Sequence, residues 1–494
     1  MRQILSNTSI TNKWLISTLG LVSFIGYVVL LYFSPQISWC DDAFWSDWGR
    51  QLGLYNRYYT TVWGSGHPSY SPLYAFVLGG WFKVFGFSFF SAHIPNIIFF
   101  LISYFLLAFG LTERKLVSNP IVVGGFTLLF WWSPTLFWIA NCGRMEILCL
   151  LLAICTIYSF ISNIEKPSLY GGVCLFISGF LLFATAVEGV FFATLVIIVY
   201  SIFHFREAIK EYVNYVIHFG SYVFSLITVS FIAWYNDCLH QFYDTMFGFS
   251  NTFTTFYRLI RAWVKNTKNG EILDTFQSSD ITKTPFLQLL EEGLLSNIEY
   301  VAVAFLVVSV FIYLLWRLKW NNIQIDLKIS VVLTLIIPFV YVIAGRYPIY
   351  YTWGAYVCGI IALSIALNYF KYSMTKTVPV IGLLLWFVIN PSMRSRFGTF
   401  DPTHSVDAKN KSDIATANID PNIPVCIPYE WYYYMVDWNE NIYFQGSGAY
   451  PNDLSKIIYS PTDYNEENFM NKYELKETQR IGNKIVYEIV GLKQ

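Results

Sequence analysis

SWCDDAFWSDWGRQLGLYNRYYTTVWGSGHPSYSPLYAFVLGGWFKVFG, residues Ser38 to Gly86, interrupts a chain that is otherwise strongly apolar. It follows the apolar run Trp14 to Phe33 and precedes a second run over 90–111. Two adjacent carboxylates, Asp41 and Asp42, stand directly after the first run. Acids at a membrane surface are costly, so a chain this hydrophobic retains them for a use.

With 55% hydrophobic and only 13% charged residues, the sequence excludes an ordinary soluble globular protein. Apolar runs of about 18 to 22 residues recur through the first 390 positions, each long enough to cross a hydrocarbon core of about 30 Å as a helix. Backbone groups in lipid must be satisfied within the segment, which selects helices. The expectation is therefore an all-α polytopic membrane protein. Its spans fall at 14–33, 90–111, 120–133, 136–161, 169–185, 187–204, 213–234, 298–316, 329–345, 350–370 and 377–390, about eleven in all by that length criterion. Formal net charge is zero, so nucleic acid is not an expected partner. The eight cysteines form no CxxC pair and read as core packing. The first span lacks a small-residue cleavage site before Trp39 and reads as an uncleaved signal anchor.

An odd number of spans puts the two termini on opposite sides, and the basic residues choose which. Arg2, Lys13, Arg114, Lys115, Lys166, Arg206, Lys210, Arg317, Lys319, Lys328, Lys371 and Lys376 all fall on one side, while the short loops at 133–136 and 185–188 carry none. The N-terminus is expected in the cytoplasm and the C-terminus outside. Three long segments then share the outer face: residues 34–89, 235–297 and the tail from Pro391.

In the first outer segment, Ala43 to Leu54 is expected as an interfacial helix, with Phe44, Trp48 and Leu52 on its apolar face and Asp47 and Arg50 turned away from it. Gly64, Gly66, Pro68 and Pro72 break the chain, and Leu73 to Phe85 reads as a second interfacial or partly re-entrant helix. The second outer segment, 235–297, is aromatic and carries Arg258, Arg261 and Lys265; it reads either as a lid or binding loop or as a solvated interfacial helix. The tail, 391–494, holds ten basic and fourteen acidic residues. Strand-like runs at Val425 to Ile427, Lys456 to Ser460 and Lys484 to Val490 predict a small soluble α/β domain outside the membrane. The division is thus 1–390 for the transmembrane part and 391–494 for the tail. Within it, ENIYFQG at Glu440 to Gly446 is similar to the recognition site of a viral processing protease but reads as a native strand.

Four features come in order along the chain. Asp41-Asp42-Ala43 leads into a helix outside the first span. Gly66-His67-Pro68 and Ser71-Pro72-Leu73-Tyr74 form a proline-rich turn. Phe82 to Gly86, FKVFG, leads through Ser91 to Asn96 into the next span. Arg144-Met145-Glu146 opens a later helix. In this order the chain resembles the lipid-linked-sugar glycosyltransferases of the GT-C superfamily, in the branch of the protein O-mannosyltransferases and the lipid A aminoarabinose transferases. The motifs cover roughly residues 14–200, and the superfamily plan of about eleven to thirteen helices with large outer loops covers the rest. Asp42 stands where the family usually has Glu.

The resemblance implies an inverting transfer of a sugar from a polyprenyl-phosphate donor to an extracytoplasmic hydroxyl on a lipid, glycan or protein. Asp41 is the candidate base, with Asp42 its alternative, and a cap of the following helix is the structural reading of both. Such a reaction also needs cationic groups at the leaving phosphate. Arg346, flanked by Tyr347, Tyr350 and Tyr351, suits a phosphate with an adjacent stacked sugar, or equally an interfacial anchor. His67 reads as a phosphate contact or a loop-stabilising residue. Arg144 and Glu146 read as groups that orient the acidic pair or touch the donor, or as a structural ion pair, and Glu188 as a cavity wall or an exposed turn acid. Asp41, Asp42 and Glu146 admit a divalent cation without requiring one. The expected setting is a bacterial plasma membrane, with membrane lipids as partners. Two other classes remain at this point: a transporter or flippase of lipid-linked saccharides, which predicts repeats and broken helices near the midplane, and a non-catalytic membrane scaffold.

Overall fold

The computed structural model describes residues 2–33, 40–57, 72–117, 119–165, 167–235, 298–343, 352–369, 403–420, 423–435, 442–444, 452–460 and 471–493. It is mostly helical, with a small sheet near the C-terminus. Among the described residues, five helices are long and apolar enough to cross a membrane, which together with the composition makes the chain an integral membrane protein. They lie in α1 (Arg2–Phe33), α4 (Phe89–Glu113), α7 (Glu146–Glu165), α11 (Tyr212–Tyr235) and α12 (Ile298–Leu318). Shorter apolar helices are α3 (Pro72–Phe85), α8 (Leu169–Phe183), α9 (Val187–Phe203) and α14 (Trp353–Leu367). The remaining helices are α2 (Cys40–Tyr55), α5 (Pro120–Trp132), α6 (Pro134–Asn141), α10 (Phe205–Lys210), α13 (Ile325–Ile343) and α15 (Ser405–Ala417). The span expected at 377–390 lies outside the described residues.

The expected span 136–161 is not one helix. The chain bends by 53° between α5 and α6, and α6 is separated from α7 by the turn 142–145. Pro134 accounts for the bend: it has no N–H to give to a preceding turn, and it drives the residue before it out of the helical region. Ser133 accordingly adopts φ −71°, ψ 139°. This bend falls in the loop expected at 133–136, whereas the turn 142–145 is a break that the apolar pattern does not show.

The chain divides into two compact units. The first comprises Met1–Ser23, Phe100–Ile139 and Glu146–Met393; the second comprises Phe24–Phe99, Ala140–Met145 and Arg394–Gln494. In the first unit, Tyr104 on α4 bonds Thr127 on α5 at 2.7 Å and donates to the carbonyl of Ile16 on α1 at 3.3 Å, sealing a seam of stacked rings from Phe100, Phe126 and Phe130. Local signals set the helix starts: Asn119 caps α5 ahead of Pro120, and Ser168 caps α8 through the Gly171 N–H.

In the second unit, α2 and α3 pack backbone to backbone. A Cβ on Gly49 would sit 2.5 Å from Leu78 Cβ, and one on Gly53 would strike the carbonyl oxygen of Gly79. Tyr74, Ala75, Leu78 and Phe82 recur at helical spacing and form the buried face of α3. The tail carries a five-stranded sheet of β1 (Val425–Ile427), β2 (Ile442–Phe444), β3 (Lys456–Tyr459), β4 (Tyr473–Ile481) and β5 (Lys484–Leu492), in the order β2-β1-β3-β5-β4. Both neighbours of β1 run parallel to it, whereas β3, β5 and β4 are antiparallel. Gly482, at φ 62°, opens the two-residue β4–β5 turn, a backbone state that side chains disfavour. Cys426, Tyr443, Leu454, Ile457, Tyr459, Tyr473 and Tyr487 form the sheet's core. The central strand of ENIYFQG is β2, with Ile442 and Tyr443 buried.

Candidate functional site

Asp41 and Asp42 lie in the first turn of α2. The helix does not turn its later charges toward water. Asp47 and Arg50, expected away from its packed face, are 0% and 1% exposed and lie in the second unit's interior. The reason is a partner 385 positions downstream. A 3-10 helix, Tyr429–Tyr434, lies against α2, and the Tyr432 hydroxyl donates to Asp47 Oδ1 at 2.9 Å. Tyr433 and Ser46 share a hydrogen bond of 2.8 Å. The Arg50 guanidinium lies 3.4 Å from Asp47 Oδ1 and within 6 Å of the Tyr432, Phe87 and Tyr55 rings, at 5.6, 5.7 and 5.8 Å.

This arrangement fixes the charge states. Burial opposes the Arg50 cation, but Tyr432 and Asp47 outweigh it and hold the guanidinium above its ordinary pKa. Burial first, and then the Asp47 charge, push the Tyr432 phenol well up, so it stays a neutral donor.

A second polar node holds the turn that carries Arg144. Asn96, fully buried on α4, donates through Nδ2 to the carbonyls of Cys142 and Arg144 at 2.5 and 2.6 Å. Tyr74 on α3 donates to Asn96 Oδ1 at 3.4 Å. The turn carrying Arg144 is thus tied to α3 and α4, and Arg144 itself is buried at 3% exposure.

In the first unit, Glu146 and Glu188 occupy the first turns of α7 and α9 and are 0% and 2% exposed. A Cβ on Gly189 would lie 3.1 Å from Cys149 Cβ, which brings these two helix starts side by side. Glu188 is therefore not an exposed turn acid. Another buried acid, Glu299 at the start of α12, accepts from the Thr135 N–H and hydroxyl at 2.9 and 2.8 Å and so caps the start of α6.

His67, Arg258, Arg261, Arg346 and Tyr350 lie outside the described residues. Among the described residues, no group of three or more His, Cys, Asp or Glu side chains is placed to hold a metal ion. Asp47, Arg50, Asn96, Tyr432 and Tyr433 were not foreseen as site residues. The usable signals were an acid and a base at i, i+3 within one short helix, and the run YEWYYY in an otherwise polar tail.

No family model matches the chain. No curated relative matches it either. Among solved structures, ArnT from Cupriavidus metallidurans bound to undecaprenyl phosphate is similar over 96% of this chain and 97% of that one, at 11% identity and a TM-score of 0.45. The apo state of the same protein is similar over 96% and 98%, at 11% identity and a TM-score of 0.43.

Proposed function

We propose that this chain is a membrane glycosyltransferase that moves one sugar from a polyprenyl-phosphate carrier to a hydroxyl acceptor on the extracytoplasmic side. The observation that carries the reading is the acid pair Asp41-Asp42 in the first turn of α2, a helix buried at Ala43 and from Trp45 to Gln51, soon after an apolar span. The donor's lipid tail confines its phosphate to the membrane surface, and a base must wait at that depth. Support also comes from the ordered motifs of the sequence, from the acid pair through the proline-rich turn to Arg144 and Glu146.

In the proposed reaction Asp41 takes the proton of the acceptor hydroxyl as its oxygen attacks the anomeric carbon, with Asp42 as the alternative base. The bond from that carbon to the phosphate oxygen breaks with inversion, and the electron pair leaves on the polyprenyl phosphate. Arg346, with Arg258, Arg261 and His67, is assigned to the leaving phosphate, where cations stabilise developing charge. Tyr350 is assigned to stacking on the sugar, and Arg144, Glu146 and Glu188 to donor binding. The tail, 391–494, is placed outside the membrane with the site, and the N-terminus in the cytoplasm.

The test is transfer activity in native membranes supplied with polyprenyl-phosphate-linked mannose or aminoarabinose, the donors of the resembled branch. Asp41→Asn is expected to lower kcat about 10²- to 10⁴-fold, the range for loss of a general base. Full transfer by both Asp41→Asn and Asp42→Asn overturns the reading.

A second reading has one observation in its favour. The 53° bend between α5 and α6 interrupts an apolar stretch, and interrupted spans are a feature of transporters. Protein-dependent translocation of a polyprenyl-phosphate sugar across liposomes, with no transfer to an acceptor, is the result that selects it.

A further inference from the structure

The tail and the acid-bearing helix meet in a way that a purely soluble appendage does not require. Ser46, Asp47, Arg50, Tyr432 and Tyr433 are all buried, and the two tyrosine hydroxyls reach adjacent residues of α2. The rings are fixed in turn. Tyr433 stacks on Phe87 at 5.5 Å and meets Phe89 edge-on at 5.2 Å, and Tyr432 meets Phe87 at 5.4 Å. A guanidinium removed from water needs both a counter-charge and polarisable faces. Asp47 supplies the first and Tyr432, Phe87 and Tyr55 the second. Asp41 and Asp42 precede Asp47 by six and five residues on the same helix, about 8–9 Å along its axis. A rotation or slide of α2 at Asp47 is therefore transmitted to the acid pair.

We propose that Tyr432 and Tyr433 are positioning residues: two hydroxyls of the C-terminal tail that set the rotation and depth of α2, and with them the placement of the Asp41-Asp42 pair for transfer. This rests on the reading of Asp41 and Asp42 as the catalytic acids. A tyrosine pair that only fills space would tolerate loss of its hydroxyls. One that sets a helix would not, since a misplacement of about 1 Å costs on the order of 10² in rate.

The experiment uses the full chain in native membranes with the same two donors, comparing Tyr432→Phe, Tyr433→Phe, the double Phe variant and Ser46→Ala with the Asp41→Asn and Asp42→Asn pair. Tyr→Phe keeps both rings. The double variant is expected to lower kcat about 10- to 100-fold while the donor KM changes less than about threefold. The single variants, Ser46→Ala included, should fall between it and wild type. Amide exchange across residues 40–55 should rise in the double variant, a readout independent of turnover. Ser46→Ala removes the Tyr433 bond from the helix side, so it keeps the test open if the double variant does not accumulate.

Wild-type kcat in the double variant, or in both Tyr432→Phe and Ser46→Ala where the double variant is lost, overturns the positioning role. It does so while Asp41→Asn or Asp42→Asn remains impaired and the functional reading stands. Full transfer by both Asn variants is the separate outcome that removes the reading itself.

Discussion

At the scale of single residues, the most consequential pair is Asp47 with Arg50. Both were legible as charges on a helix, and the i, i+3 spacing was visible. Their burial was not, because amphipathic patterning sends charge to water unless a partner is known, and the partner here is a tyrosine from the far end of the chain. The same limit applied to Asn96, a polar residue inside an apolar span whose use appears only once the carbonyls of Cys142 and Arg144 are placed beside it. Breaking a buried pair on one side leaves an uncompensated charge, whereas removing both sides leaves none. Asp47→Ala is therefore expected to destabilise the protein by about 3–5 kcal/mol, read as a lowered Tm in detergent. Asp47→Leu combined with Arg50→Met should recover most of that loss. Equal Tm values for the single and double variants would show that Arg50 is not held by Asp47.

At the scale of elements, boundaries were more legible than faces. The helices expected at 43–54 and 73–85 are α2 and α3, since Gly and Pro clusters punctuate the chain on either side. The expected span 136–161 failed at the turn 142–145, because hydropathy alone does not register a break whose flanks remain apolar. What pairs α2 with α3 is the absence of side chains at Gly49, Gly53 and Gly79, a signal that becomes specific only when the facing helix is known. Gly53 and Gly80 separate the two roles of a helical glycine. A methyl on Gly53 meets the Gly79 backbone, so Gly53→Ala must move one helix away from the other. Gly80 has nothing within 4 Å of its would-be Cβ. Gly80→Ala should stabilise by roughly 0.5–1 kcal/mol through helix propensity, and Gly53→Ala should lower Tm and transfer activity together. A Gly53→Ala protein as stable and active as wild type would mean that the α2–α3 approach is looser than this packing.

At the scale of the whole molecule, the tail is both a folded sheet and part of a larger unit. Its β-core of Cys426, Tyr443, Leu454, Ile457, Tyr459, Tyr473 and Tyr487 is internal to residues 425–487. The strand pattern that predicted it follows from local alternation and turn chemistry. The aromatic hook Tyr429–Tyr434 belongs instead with α2 and Phe87, and it groups the tail with residues 24–99. These two attachments predict different behaviour in a fragment of residues 394–494. Cys426 is its single cysteine and is fully buried, and burial pushes its thiol well up, away from the reactive thiolate. In the isolated fragment the β-core should still fold and protect Cys426 from maleimide at neutral pH until denaturant is added. Tyr432 and Tyr433, deprived of Ser46, Asp47 and Phe87, should lie exposed, so the fragment should bind a hydrophobic dye and self-associate, and the double Phe variant should do so as well. Immediate labelling of Cys426 would mean that the sheet depends on α2 for folding. A monomeric fragment without dye binding would mean that the hook closes on the sheet itself, and α2 would then have no privileged partner in the tail.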